Sequence, residues 1–409
     1  MIDDTSISAA DLNPSWSNDN SIALMYYDYS TGAPVAKSVT LQGTSVAKQL
    51  TASNIFFANG SKWLWGDDST ALNDDAANTL AGGAGNDRLT GLGGNDTLSG
   101  GDGNDRFDFG YATLSVGNDL INGGAGSDTL SFSTNSAAPP ASVNLATHVA
   151  GNSQGTATLS SIERVFGTSG ADTFSGGDPE HRRDVLGNTV SEIFRGNAGN
   201  DTITGGAGSD FFTVADYNSV SVTTGIAVNL SQTDANGYAI VTNDGFNSQD
   251  KLANVDMIIG SYKADTITGG SLDRDSAGFF YEVFRGNAGN DILNGNNATS
   301  GGDRSSSDRA DYANNSTAQP IIVNLSDLSI TVGTQAIASG TAADGMGGID
   351  TLIDIDQAYG GAGNDYFMGN GNNNVFDGGA GNDTLNGGDG TDQARFQQST
   401  AGVVVNLSG

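Results

Sequence analysis

From Ala81 to Asp108 the sequence repeats every nine residues: GGAGNDRLT, GLGGNDTLS and GGDGNDRFD follow without a gap and place Asp87, Asp96 and Asp105 in one register. A second array begins at Gly360 and reads GGAGNDYFM, GNGNNNVFD, GGAGNDTLN and GGDGTDQAR, which sets Asp365, Asn374, Asp383 and Asp392 nine residues apart. Shorter matches surround Asp119 and Asp128, and Asp201 and Asp210. Two places after each acid position of the arrays comes an apolar residue: Leu89, Leu98, Phe107, Phe367, Phe376 and Leu385, with Ala394 the weakest. This phasing restricts the fold severely. Glycine permits left-handed turns and close backbone approach, and the residues after the acid suit one short strand. One nonapeptide then makes half a coil and two make a turn of eighteen residues, so acids eighteen apart stack on one edge, as Asp87 with Asp105 and Asp365 with Asp383.

The nonapeptides resemble the repeats-in-toxin (RTX) family, haemolysin-type calcium-binding repeats of secreted bacterial proteins, whose motif is G-G-x-G-x-D-x-U-x with U apolar. The resemblance implies an all-β chain of right-handed parallel β-roll, or β-solenoid, segments and several bound Ca2+ ions. The residues expected to hold metal are Asp87, Asp96, Asp105, Asp119, Asp128, Asp172, Asp201, Asp210, Asp265, Asp291, Asp365, Asp383 and Asp392. Turn carbonyls of Gly83, Gly85, Gly101 and Gly103, and of Gly361, Gly363, Gly379 and Gly381, would complete the all-oxygen shell that calcium favours.

A longer period overlies the nonapeptide. Val-Asn-Leu recurs at Val143–Leu145, Val228–Leu230, Val323–Leu325 and Val405–Leu407, and the segments starting at Leu159, Leu252 and Leu352 share a second pattern, giving modules of roughly 80 to 100 residues. Spacers of this kind between RTX blocks resemble strand-rich connectors that continue the solenoid. In EIFRGNAGND and EVFRGNAGND, Glu192 and Glu282 fall nine residues before Asp201 and Asp291, in the acid position of the preceding turn. If the coil continues beneath the insertions, Asp172 stacks with Asp201 and Asp265 with Asp291, the insertions replacing the usual calcium turn. The expected organisation is a β-rich N-terminal cap (1–78), a first roll (79–135), spacer plus second block (136–215), spacer plus degenerate third block (216–312), spacer (313–358), C-terminal roll (359–398) and the start of a truncated spacer (399–409).

Charge narrows the partners. Lys and Arg number 16 against 47 Asp and Glu, a formal charge of −31 that repels nucleic acid and anionic membranes and opposes compaction until cations neutralise it. With no cysteine, neither disulfides nor thiolate metal sites can hold the chain. A flexible acidic linker needs no register, whereas glycine, acid and apolar positions here stay in phase and 36% of residues are hydrophobic. Only His148 and His181 occur and neither begins H-E-x-x-H; GNSQG at 151–155 matches the lipase G-x-S-x-G only formally, with no strand or histidine partner to support it. No catalytic residue is assigned and no enzyme activity is expected. The first 78 residues hold all three tryptophans, Trp16, Trp63 and Trp65, which suit a cap over the first coil; the alternative is an aromatic platform for sugar.

The N-terminus shows no basic start and apolar core of a signal peptide, and no run is long enough to span a membrane. RTX proteins, by resemblance, leave the bacterium unfolded through a type I channel and fold in extracellular calcium. The chain stops at AGVVVNLSG, where earlier modules enter a spacer, so a fragment of a longer tandem protein is expected. The expected role is a structural, surface-layer or adhesin-type module whose partners are calcium and, beyond it, a cell-surface glycan or further copies of itself. The alternative is a calcium-dependent accessory region of a secreted polysaccharide-modifying or lytic enzyme whose catalytic domain lies elsewhere.

Overall fold

The computed structural model describes residues 13–16, 22–28, 35–41, 55–57, 60–66, 76–109, 117–132, 138–178, 191–207, 211–219, 221–270, 282–296, 308–313 and 319–396. The fold is all-β, and its long parallel sheets are those of a β-roll. Two compact units divide it: Met1–Asp28, Val35–Asp216 and Ala253–Val255 form the first, and Tyr29–Pro34, Tyr217–Leu252 and Asp256–Gly409 the second. Among the described residues no helix is long and apolar enough to cross a membrane.

In the first unit the chain alternates between two sheets, each half-coil contributing one strand. Thr79–Ala84, Thr97–Asp102 and Gly117–Ala125 stack in parallel in one sheet, with Leu80 opposite Leu98 and Leu98 opposite Ile121. Arg88–Thr90, Arg106–Asp108 and Thr129–Ser131 stack in the other, with Leu89 opposite Phe107 and Phe107 opposite Leu130. The apolar member of each repeat supplies the core, since Leu89, Phe107 and Leu130 are each 0% exposed. Burying one such side chain contributes about 1.5–3 kcal/mol, so a coil gains its stability from one apolar pair per eighteen residues plus the ladder hydrogen bonds. The residues flanking that core position carry ion pairs: Arg88 and Arg106 both meet Asp108, which is 3% exposed at its side chain, and Arg195 meets Asp216.

The first rung lies inside the segment expected to be a cap. Lys62–Trp65 pairs in parallel with Arg88–Thr90 and in antiparallel with Ile55–Phe56, and Trp63 and Trp65 are 3% and 6% exposed with their rings in edge contact. Buried so, these two tryptophans pack the end of the roll and offer no open sugar platform. Asn13–Trp16, Ile22–Asp28 and Val35–Leu41 form a separate antiparallel sheet of three strands.

The spacers are strand-rich, as expected, but they reverse direction. In the first unit Ser142–Asn144, Val149–Asn152 and Gly155–Ser160 make an antiparallel meander, with Val143 opposite Ala150 and Ala150 opposite Ala157. Its outer strands rejoin the parallel order, Gly155–Ser160 beside Gly117–Ala125 and Ser142–Asn144 beside Thr173–Ser175. The second unit repeats the device twice. Ala227–Thr233 runs against Ala239–Asn243, which runs against residues 250–252; Ile322–Asn324 runs against Thr341–Ala343, which runs against Ile349–Ile353. Between these spacers the second unit keeps parallel rungs, Met257–Ile259 with Val283–Arg285 and Arg309–Asp311 in one sheet, and Thr266–Thr268 with Ile292–Asn294 in the other.

Candidate metal centre

The acids of the repeat line up along the edges of the coils. In the first unit the N–H of Asp87 donates to Oδ1 of Asp105 (2.7 Å), that of Asp105 to Oδ1 of Asp128 (2.7 Å), and that of Asp128 to Oε2 of Glu163 (2.6 Å). Lys62 heads this column, giving its N–H to Asp87 and its ammonium to the Gly82 carbonyl. The intervening half-coils build a second column in which Asn78 donates to Asp96 (2.8 Å) and Asp96 to Asp119 (2.9 Å). Asp172 donates likewise to Asp201 (2.7 Å). In the second unit Asp265 donates to Asp291 (2.8 Å), Asp291 to Asp350 (3.0 Å), Asp365 to Asp383 (2.9 Å) and Asn374 to Asp392 (2.9 Å). Asp210 lies outside the described residues.

Where the hexapeptide is complete, its carboxylate is tucked beneath its first glycine. A methyl group placed on Gly82, Gly100 or Gly123 would overlap the second oxygen of Asp87, Asp105 or Asp128 respectively, and the same relation joins Gly196 to Asp201, Gly286 to Asp291, Gly378 to Asp383 and Gly387 to Asp392. Turn carbonyls stack from coil to coil in the same places. The Gly83 and Gly85 carbonyls are directed at Gly101 and Gly103, and those of Gly361 and Gly363 at Gly379 and Gly381, each so close that only glycine fits above. The fifth residue of the hexapeptide has its own part: the Asn86 side-chain oxygen accepts the Asn104 N–H (2.9 Å), and that of Asn104 the Ser127 N–H (2.9 Å).

The carboxylates on these edges are buried. Asp87, Asp105, Asp128 and Asp291 are each at most 1% exposed, and in each the second carboxylate oxygen has no hydrogen-bond donor. Burial pushes the carboxyls up, to about 6 for Asp87 and Asp105, about 7 for Asp119 and Asp128, and about 8 for Asp291, where the neighbouring Asp350 adds to the effect. Asp383 is raised for the same reason, while Asp392 is exposed. Among the described residues no three acidic or histidine side chains converge as a metal cluster, so any ion here draws the rest of its shell from backbone carbonyls. The donor set is hard oxygen only, the undonated oxygens stand beside stacked carbonyls, and all of this fits calcium.

Several acids of the columns escape a search for glycine turns. Glu163 ends the first column, Asp308 lies beneath Gly295 and takes the Glu282 N–H (3.0 Å), and Asp350 takes that of Asp291. Glu192 and Glu282 occupy the acid positions beneath Gly176 and Gly269, although the stretches before them are long insertions. All five share one signal: an acid followed two residues later by a buried apolar residue, namely Val165, Ala310, Leu352, Phe194 and Phe284.

A family model described as the RTX calcium-binding nonapeptide repeat (4 copies) matches residues 73–107, 115–133, 160–178, 186–215, 282–298 and 359–394. No curated protein matches the chain. These segments contain most of the stacked acids described above, and the turn at 260–265 falls outside them. The chain thus carries RTX calcium-binding nonapeptide repeats along its length, and they build its parallel rolls.

Proposed function

We propose that this protein is a secreted structural module, of the surface-layer or adhesin-stalk kind, whose edges bind several calcium ions outside the cell and whose rolls fold as they do so. The observation that carries the reading is the desolvated carboxylates with undonated oxygens, at Asp87, Asp105 and Asp128 in the first unit and at Asp291 in the second. A buried ionised carboxylate left so costs several kcal/mol, and a divalent cation removes that penalty. The ions would be held by these acids together with Asp96, Asp119, Asp201, Asp365 and Asp383 and by the carbonyls of Gly83, Gly85, Gly101, Gly103, Gly361, Gly363, Gly379 and Gly381. Calcium supplies charge neutralisation and bridges successive coils; the chain supplies oxygens in phase. The role is non-catalytic, export is by a type I channel, and the surfaces left over face a glycan or further copies of the chain.

The test is circular dichroism during a calcium titration, with magnesium as control because its tight octahedral shell suits this spacing poorly. The expected result is a cooperative gain of β-structure at ~10⁻⁴ to 10⁻³ M calcium and none with magnesium. A spectrum indifferent to calcium would refute the reading.

A further inference from the structure

The acid turns close in two ways, and the second residue of the hexapeptide makes the difference. Around Asp87, Asp105 and Asp128 that residue is Gly83, Gly101 or Gly124, at φ of +110°, +119° and +110°, and the second carboxylate oxygen has no donor. In the turns 167–172 and 260–265 the residue is Thr168 or Ser261, and neither has a positive φ. Thr168 gives its N–H to Oδ2 of Asp172 (2.6 Å) and its hydroxyl to Oδ1 (2.9 Å). Ser261 treats Asp265 identically, at 2.6 and 2.8 Å. The same two carboxylates also accept the N–H of Ala141 (2.6 Å) and of Ile226 (2.7 Å), which lead into the spacer strands Ser142–Asn144 and Ala227–Thr233. Each aspartate therefore ties the entrance of a spacer to the turn that follows it, 31 and 39 residues later, with both oxygens occupied.

We infer that Asp172 and Asp265 are staples that exclude calcium, closing the two spacers by hydrogen bonds alone and keeping them folded when the ion is absent. The inference rests on calcium occupying the other turns. To open like the turn at Asp87, residue 168 or 261 would have to enter the left-handed region, costly for a side chain branched at Cβ such as Thr168, and surrender two charge-assisted hydrogen bonds. In the second of these turns the Lys263 N–H donates to Oγ of Ser261 (3.1 Å), which holds the hydroxyl in place. Asp365 supplies the contrast. It takes the Gly361 N–H (2.9 Å) and the Ile321 N–H (2.8 Å), but Gly361 has no hydroxyl to add and is free to turn over.

Amide hydrogen exchange on the full chain, with calcium and with chelator, decides the matter. Residues 167–172 and 260–265 should be protected in chelator and nearly unchanged by calcium, whereas calcium slows exchange at 82–87, 100–105 and 360–365 by about tenfold or more. Thr168→Val with Ser261→Ala should raise exchange at the two staples about tenfold in chelator. Thr168→Gly with Ser261→Gly restores glycine at the second position and should make both turns calcium-responsive. Staples that exchange in chelator as fast as residues 82–87, or that calcium protects equally, would overturn the inference. Protected staples with no calcium effect anywhere would leave them standing and sink the calcium reading.

Discussion

Acid should substitute for calcium. With calcium chelated, lowering the pH from 8 toward 5 protonates carboxyls that are buried in the fold and exposed in the unfolded chain. Burial holds Asp265 at about 6, Asp119 and Asp350 at about 7, and Asp291 and Asp308 at about 8, all from 3.8. A folded value above the unfolded one means that the folded state binds the extra proton. The associated stability is complete below about pH 4 and lost as pH rises through 6 to 8. Near pH 5.5 these five acids give a ceiling of about five protons, or ~7 kcal/mol per pH unit at ~1.4 each. Neighbours in a column titrate together and water relaxes around them, so ~2 kcal/mol per unit is the working figure. In the assay, far-UV circular dichroism and tryptophan emission are followed in chelator from pH 8.5 to 5, with light scattering to exclude precipitation toward the isoelectric point near 4.1. Structure should appear as pH falls, and in parallel titrations calcium affinity should rise with pH as protons cease to compete. A chelated chain that gains structure toward high pH would refute the reasoning.

Two substitutions test the geometry directly. Gly100→Ala drives a methyl into the Asp105 carboxylate and to 2.6 Å from the Gly123 carbonyl, so it should cost about 3 kcal/mol or more of thermal stability in saturating calcium, whereas Gly237→Ala, with nothing within 4 Å, should cost about 1 for its left-handed φ. Asp108→Ala leaves the buried Arg88 without its carboxylate and should cost about 3–5 kcal/mol in a urea melt, with calcium stoichiometry unchanged.

The sequence speaks most clearly where one physical requirement fixes both composition and phase. Glycine at the first position, acid at the sixth and an apolar residue at the eighth are each forced by a contact, so the stacking of Asp87 on Asp105 is readable from spacing, while the rolls and their all-β class come with the family resemblance that the spacing carries. The survival of the coil beneath the insertions before Glu192 and Glu282 is readable from spacing as well. Glu163 and Asp308 are harder because a spacer or an insertion stands where their glycines would be, leaving only the acid and its apolar partner as a signal, and GMGGID, ending at Asp350, departs from the motif at its second position. The reversal of the spacer strands was not readable. Short alternating segments such as VAGN and AIVTN present one face to the core whichever way they run, and period two carries no direction. Nor did the motif separate Thr168 and Ser261 from the glycines they replace, since a hydroxyl aimed back at its own turn leaves no mark on the period.

The reversed spacers also bear on fidelity. Coils of nearly identical sequence are interchangeable, and a chain made only of them could zip together one coil out of place while keeping almost every apolar contact and ladder bond. The antiparallel meander through Val143, Ala150 and Ala157 has no counterpart among the nonapeptides, so a roll displaced by eighteen residues would bring that meander against a coil it cannot match. Recurring once per module, such keys confine any slip to the few coils between two spacers, and a long repetitive chain acquires one register in place of many.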